Sequence, residues 1–131
     1  MLETLQKLLI VAFGGSIGSV MRYLLSGFAQ DLSGSFAFPF GTMAVNLTGC
    51  FVIGVLSYFA DARGVLNTEI RILLFAGLMG GFTTFSTFGN ETINLIRDRQ
   101  LVFAAANVCI SVIGGLLLVW AGRTAAHLIW R

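Results

Sequence analysis

Four stretches of the sequence are each long and apolar enough to cross a lipid bilayer as a helix. They cover about residues 5–28, 38–60, 70–96 and 101–129. A helix rises about 1.5 Å per residue, so roughly 20 residues cross a hydrocarbon core of about 30 Å. Backbone amides in lipid must bond within the protein, which predicts helices. The sequence therefore predicts an all-α integral membrane protein with four transmembrane helices, in one domain over residues 1–131.

The composition supports this fold class and excludes several functions. Hydrophobic residues make up 56% of the chain and charged residues 11%, whereas a soluble domain carries about 25% charged residues. The net charge of +2 is too small to indicate a nucleic-acid partner. One histidine and two cysteines are too few for a His/Cys metal cluster. We therefore expect a membrane protein that is not an enzyme.

Lysine and arginine are divided almost evenly between the two predicted sides of the membrane. The side of the N-terminus, second loop and C-terminus has five of them, Lys7, Arg63, Arg71, Arg123 and Arg131. The other side has Arg22, Arg97 and Arg99. So weak a bias allows insertion in both orientations, and hence an antiparallel homodimer with its two-fold axis in the membrane plane. A difference of two charges is also compatible with one fixed orientation.

Small and polar residues recur at helical spacing inside three of the stretches. The rows are Gly14, Gly18 and Arg22, then Thr42, Asn46 and Gly49, then Asn107, Ser111, Gly114 and Gly115. Glycine rows are typical of close helix packing, and we interpret them in that way. Polar side chains in lipid either bond a neighbouring helix or face a water path. For Asn46, Asn107 and Ser111 both interpretations stay open.

The third stretch contains residues that disfavour a continuous helix. Gly80-Gly81 is followed by Thr83-Thr84 in an otherwise apolar run, and glycine costs roughly 1 kcal/mol at each helical site. This pattern predicts a third helix broken at mid-membrane, whose freed carbonyls can coordinate a hard cation such as Na⁺. Beyond the break, Phe85 and Phe88 share a helical face. Their positively polarised ring edges are suited to an anion.

The acidic residues lie near the ends of the stretches, with Glu91 a few residues inside the third. A small four-helix multidrug-type transporter that exports organic cations against protons requires a carboxylate at mid-membrane. That alternative is therefore disfavoured, and a purely structural assembly factor does not explain the broken helix. Arg22, near the end of the first stretch, either draws anions into a vestibule or snorkels to the headgroups.

Three motifs together resemble the Fluc (CrcB) fluoride channels of bacteria. They are Gly14-Gly15-Ser16-Ile17-Gly18 through Arg22-Tyr23, Gly41-Thr42 through Val45-Asn46 to Gly49, and Gly77 through Phe88. With the four-helix layout, the resemblance covers essentially the whole chain. It implies a fluoride-selective channel in the bacterial inner membrane that exports cytoplasmic fluoride by passive permeation. It also implies an antiparallel, dual-topology homodimer with two pores, each lined by both subunits.

The resemblance further implies roles for individual residues. Carbonyls of Gly80 and Thr83 from both subunits would hold a structural Na⁺ on the two-fold axis. Ring edges of Phe85 and Phe88 would face fluoride. The remaining residues implied along the fluoride path are Asn46, Thr42, Thr84, Thr87, Ser111 and Asn107, with Arg22 in the vestibule. Asn107 stands where some members carry an aromatic hydroxyl.

Overall fold

The computed structural model describes residues 1–61 and 64–130. Arg63 and Arg131, which entered the charge count, lie outside the described residues. Within the described residues, four helical spans are long and apolar enough to cross a membrane, namely Leu2–Ser33, Phe40–Asp61, Thr68–Arg97 and Leu101–Ile129. The prediction of an all-helical protein with four membrane-length helices is confirmed.

The first two spans are single helices, and the last two are composite. Helix α1 is Leu2–Ser33 and α2 is Phe40–Asp61. The third span contains α3 (Thr68–Arg71), the π-helix π1 (Ile72–Met79), α4 (Gly80–Phe82) and α5 (Phe85–Arg97). The fourth contains α6 (Leu101–Cys109), the π-helix π2 (Ile110–Gly114) and α7 (Gly115–Ile129).

Helix α1 extends further than the hydropathy pattern predicts. It ends at Ser33, where Gly34 takes a left-handed conformation with φ of 62° and donates its N–H to Asp31 O. Glycine allows this conformation at a helix end, so Gly34 rather than the loss of hydrophobicity terminates α1. Arg22 consequently lies eleven residues before the helix end, which is roughly 16 Å along the axis. The predicted span ends at about residue 28, so Arg22 lies further from the helix end than the sequence predicts.

The connection between α1 and α2 is held by the side chain of Gln30. Its amide nitrogen donates to the carbonyls of Ser35 and Phe38. Its Oε1 accepts the N–H of Gly41 at 2.9 Å. Gly41 is at the start of α2, where backbone N–H groups have no partner within the helix. One side chain therefore fixes both the loop and the beginning of the second helix.

Helix α1 crosses π1 and α4 at glycines, where the two backbones touch. A Cβ at Gly18 would lie 2.2 Å from Leu78 O, and one at Gly14 would lie 2.7 Å from Leu73 O. Such contacts allow no side chain, so the packing interpretation of these two glycines is confirmed. A second glycine seam joins α2 to α7, where a Cβ at Gly54 would lie 2.2 Å from Val119 O. The two seams fix the positions of the segments that form the site described next.

Candidate functional site

The backbone of the third span leaves the helical conformation at Thr83 and Thr84. Their φ and ψ angles are −84° and 155°, and −146° and 114°, which are extended values. The glycine pair Gly80-Gly81, expected to disrupt the helix, is itself helical in α4. A Cβ at Gly81 would lie 2.5 Å from Gly15 O. This glycine therefore serves the close approach of α1, and the extended residues follow a few positions later.

The side chain of Asn46 on α2 bonds the extended backbone at Thr84. Its Oδ1 accepts the Thr84 N–H at 2.8 Å, and its Nδ2 donates to the Thr84 carbonyl at 3.0 Å. A buried peptide group without partners costs several kcal/mol in an apolar environment. Asn46 supplies both missing bonds, so the extended conformation of Thr84 is compatible with the interior of the protein.

Thr84 also caps the N-terminus of α5. Its Oγ1 accepts the N–H of Thr87 at 3.3 Å and donates to Thr87 Oγ1 at 2.9 Å. A threonine with extended backbone is a favoured N-cap because its hydroxyl satisfies an unpaired N–H group. The N-terminal end of α5, which carries the partial positive charge of the helix dipole, is thereby fixed beside Thr84.

Two backbone carbonyls, Gly80 O and Thr83 O, lose the N–H donors that they would have in a continuous helix. In an uninterrupted helix the N–H of Thr84 would bond Gly80 O and that of Thr87 would bond Thr83 O. Here they bond Asn46 Oδ1 and Thr84 Oγ1 instead. Carbonyl oxygens released in this way are suitable ligands for a hard cation. Among the described residues, no group of three His, Cys, Asp or Glu side chains could hold a metal.

A mostly apolar groove lies beside the extended residues. Its volume is about 400 Å³, and its walls include Asn46, Gly80, Thr83, Thr84, Phe85, Phe88 and Ser111. The rings of Phe85 and Phe88 lie next to each other, with centroids 5.5 Å apart and planes inclined by 47°. Ser111 Oγ is enclosed and has no hydrogen-bond partner among the described residues. The groove therefore brings together seven of the predicted site residues, including both proposed cation ligands.

A larger and more polar concavity, the vestibule, opens beyond Thr84. Its volume is about 1120 Å³, and its walls include Arg22, Asp31, Thr42, Thr84, Thr87, Glu91 and Asp98. Thr84 lines both the vestibule and the groove, so it stands at their junction. Arg22 is half-buried and makes no ion pair with the residues that the structure describes.

Thr42 reaches a carboxylate that the sequence pattern does not single out as a site residue. It is buried, and its hydroxyl donates to Glu91 Oε1 at 2.7 Å. Glu91 Oε2 is enclosed without a hydrogen-bond partner among the described residues. The two residues are 49 positions apart. The only sequence signal for Glu91 was its place inside an apolar span.

Asn107 is separate from the other predicted path residues. It is only 1% exposed, and it lines neither the groove nor the vestibule. Its Nδ2 donates to Thr92 Oγ1 at 3.0 Å, and that hydroxyl donates to Phe88 O at 2.8 Å. Thr92 is a second residue that sequence reasoning missed, although its place four residues after Phe88 puts both on one helical face.

The chain is similar to proteins of one family along most of its length. The family described as "CrcB-like protein, Camphor Resistance (CrcB)" matches residues 9–123. A protein of Methylobacillus flagellatus named fluoride-specific ion channel FluC is 46% identical over 116 residues, covering 88% of this chain and 91% of the relative. Proteins with the same name from Geotalea daltonii and Geobacter sulfurreducens are 40% and 44% identical. They align over 95% and 92% of this chain, and over 100% and 96% of their own lengths.

Proposed function

The chain belongs to the CrcB-like family, and from that premise we propose that it is a fluoride-selective channel. We further propose that it resides in the inner membrane of a bacterium and lets cytoplasmic fluoride leave passively, which lowers fluoride toxicity. The relatives are named ion channels, so the prediction that the chain is not an enzyme is confirmed. The observation that carries the proposal is the groove with the Phe85–Phe88 pair beside the Asn46–Thr84 bonds.

The groove supplies donors that suit a small anion. Fluoride is strongly hydrated, so a selective path must replace its water with closely placed donors. The ring edges of Phe85 and Phe88 carry partial positive charge, and the Ser111 hydroxyl is available for bonding. The Asn46 amide has two hydrogens, and its bond to Thr84 uses one of them. These groups bind an anion without a full positive charge that would hold it too tightly.

The vestibule gives the ion a polar route to the groove. We place the entry of fluoride at Arg22, whose guanidinium attracts anions, and its passage at Thr42, Thr84 and Thr87. The hydroxyls of Thr42 and Thr84 donate to Glu91 and Thr87, so each would turn from that partner to donate to the passing anion. Because Thr84 lines both concavities, the proposed path runs from the vestibule past Thr84 to the phenylalanine pair.

Exposure in the single chain supports an antiparallel homodimer. Phe85 is 81% exposed, and the adjacent polar residues Ser86 and Thr87 are exposed as well. Polar side chains facing lipid are costly, whereas a second copy of the chain would cover them. Together with the weak charge bias, this supports a dual-topology homodimer with two pores. The third span would then be broken near mid-membrane, with Thr83 and Thr84 beside the partner.

A structural Na⁺ fits the released carbonyls. The oxygens of Gly80 and Thr83 lack their helical donors, and two copies of the chain would provide four such ligands. Oxygen ligands are those that a hard cation prefers. When bound, the ion would supply positive charge that joins the two interrupted helices. The side chain of Asn46 keeps Gly80 O released by holding the Thr84 N–H, and Thr84 Oγ1 keeps Thr83 O released by holding the Thr87 N–H.

The test is anion efflux from liposomes that contain the purified protein. We expect fast fluoride efflux at a fluoride electrode and no chloride efflux. Phe88→Ile should abolish fluoride efflux in a protein that remains folded and dimeric. Phe13→Ile, on the exposed surface of α1, is the matched control and should retain efflux.

Two results would contradict the proposal. One is a folded, dimeric protein that retains fluoride inside the liposomes, and the other is equal efflux of chloride. Proton-coupled export of organic cations would then be measured in the same liposomes, because the multidrug-type transporter is the alternative.

A further inference from the structure

We propose that Asn107 is a positioning residue that fixes the orientation of Phe88 through Thr92. This inference rests on the proposed function, because it assigns Asn107 a task in the fluoride path that needs no contact with the ion. Asn107 is 1% exposed and lines neither concavity. Ser111, one helical turn further along, is the residue of this row that lines the groove.

Asn107 and Phe88 are connected through Thr92 by two hydrogen bonds with the same donor-to-acceptor direction. Asn107 Nδ2 donates to Thr92 Oγ1 at 3.0 Å, and Thr92 Oγ1 donates to the Phe88 carbonyl at 2.8 Å. A hydroxyl has one hydrogen, so accepting from Asn107 commits that hydrogen to Phe88. Bonds aligned in this way polarise and strengthen each other. The amide of Asn107 therefore selects the Thr92 rotamer that holds the backbone at Phe88.

Helix α5 is held at three points around Phe88. Asn46 bonds it at Thr84, Thr42 bonds it at Glu91, and Asn107 bonds it at Thr92. The first two bonds come from α2, whereas the third comes from α6. Phe88 lies between them along the helix, so its ring direction depends on how far α5 can rotate. Without the bond from α6, α5 can rotate about its own axis, and this rotation would change the direction of the Phe88 ring.

The experiment compares Asn107→Leu, Thr92→Val and their double variant with the wild-type protein. Asn107→Leu removes the first of the two bonds, and Thr92→Val removes both, since valine has no hydroxyl. Each change keeps a similar side-chain shape. We expect the initial rate of fluoride efflux per folded dimer to fall roughly tenfold, an effect of the size that coupled neighbours produce. The double variant should be no worse than the single ones, because both remove the same connection.

Two control variants separate positioning from a general loss of stability. Thr92→Ser keeps the hydroxyl and should retain efflux. Thr124→Val removes the same kind of bond on α7, where Thr124 Oγ1 donates to Trp120 O at 2.9 Å. It should lower stability as Thr92→Val does and leave efflux unchanged. If Asn107→Leu and Thr92→Val both conduct like wild type, or if their effects multiply in the double variant, the inference is wrong.

A second readout does not depend on conduction. A 4-fluorophenylalanine placed at position 88 reports the surroundings of its ring by fluorine NMR. We expect Asn107→Leu and Thr92→Val to shift or broaden this signal in the same way, and Thr92→Ser to leave it in place. An unchanged signal in both variants would overturn the inference. Lack of fluoride efflux in the wild-type protein would overturn the proposed function and leave this readout intact.

Discussion

Asn46 and Thr84, 38 residues apart in the chain, exchange two hydrogen bonds of 2.8 and 3.0 Å. The amide side chain of one helix thus takes the place of the backbone partners that the other helix lacks. The bond from the Thr84 N–H keeps that group away from Gly80 O. The other bond uses one of the two amide hydrogens of Asn46, which lines the groove. The extended backbone at Thr84, the proposed cation ligand Gly80 O and the proposed fluoride path therefore depend on one side chain.

Replacing Asn46 should destabilise the protein and impair conduction together. Asn46→Leu leaves the N–H and carbonyl of Thr84 without these partners, and each unsatisfied buried group costs about 1–3 kcal/mol. We expect a loss of roughly 2–4 kcal/mol in the free energy of unfolding, with fluoride efflux strongly reduced. Thermal unfolding in detergent and liposome efflux measure the two effects. Asn90→Leu, at an exposed position of α5, should leave stability nearly unchanged.

Gly18 should tolerate no larger side chain. Gly18→Ala places a Cβ 2.2 Å from Leu78 O and 2.8 Å from Phe82 N, which are backbone atoms. Overpacking of this kind costs about 1–3 kcal/mol or more because the helices must separate. Gly27→Ala on the same helix meets nothing within 4 Å and should be neutral or slightly stabilising. Equal thermal midpoints for the two variants would contradict the close contact between α1 and the third span.

Removing sodium should lower stability if the carbonyls of Gly80 and Thr83 bind it. A ligand at about 100 times its Kd stabilises a folded protein by about 2.7 kcal/mol. Exchanging sodium for potassium at constant ionic strength should therefore lower the thermal midpoint by several degrees. In Asn46→Leu the Thr84 backbone loses the two bonds that hold it beside the proposed ligands, so this dependence should weaken. Equal thermal midpoints in sodium and in potassium would exclude the proposed Na⁺ site.

The ion pairs at the end of α2 should contribute little. Asp61 lies 3.4 Å from Arg123 and 4.0 Å from Arg71, and all three side chains are about half exposed. Exposed pairs are worth about 0–1 kcal/mol and are screened by salt. Asp61→Asn should therefore change the free energy of unfolding by less than about 1 kcal/mol, with fluoride efflux intact. If Asp61→Asn lowered the free energy of unfolding by several kcal/mol even at high salt, the weak contribution expected of these exposed pairs would be contradicted.

Hydropathy was enough to predict the spans, because apolar length alone decides which segments can cross a bilayer. The glycine rows predicted close packing, and Gly14 and Gly18 lie where α1 meets the third span. Local sequence did not predict the extended residues correctly. Gly80 and Gly81 are helical, whereas Thr84 is extended and bonded to Asn46. That partner lies on another helix, so the position could not be deduced from propensity within the third stretch.

Two further contacts that the sequence did not predict also depend on a partner in another helix. The bond from Thr42 to Glu91 and that from Asn107 to Thr92 each join two different helices. A row of polar residues at helical spacing shows which side chains share a face, and the neighbouring helix decides what they touch. Asn107 belongs to the row of Ser111 by spacing, and it nevertheless turns to Thr92 and away from the groove.

The seam between α2 and α7 links the second helix to the last one. A Cβ at Gly122 would lie 2.2 Å from Phe51 O, so the two backbones meet without side chains between them. A ribosome makes the chain from its N-terminus at about 5–20 residues per second. Helix α2 is therefore synthesised seconds before α7, and until then the face of α2 that contains Gly54 has no helix packed against it. A nascent chain cut short before Gly122 would lack this contact, which makes the final helix the step that completes biosynthetic assembly.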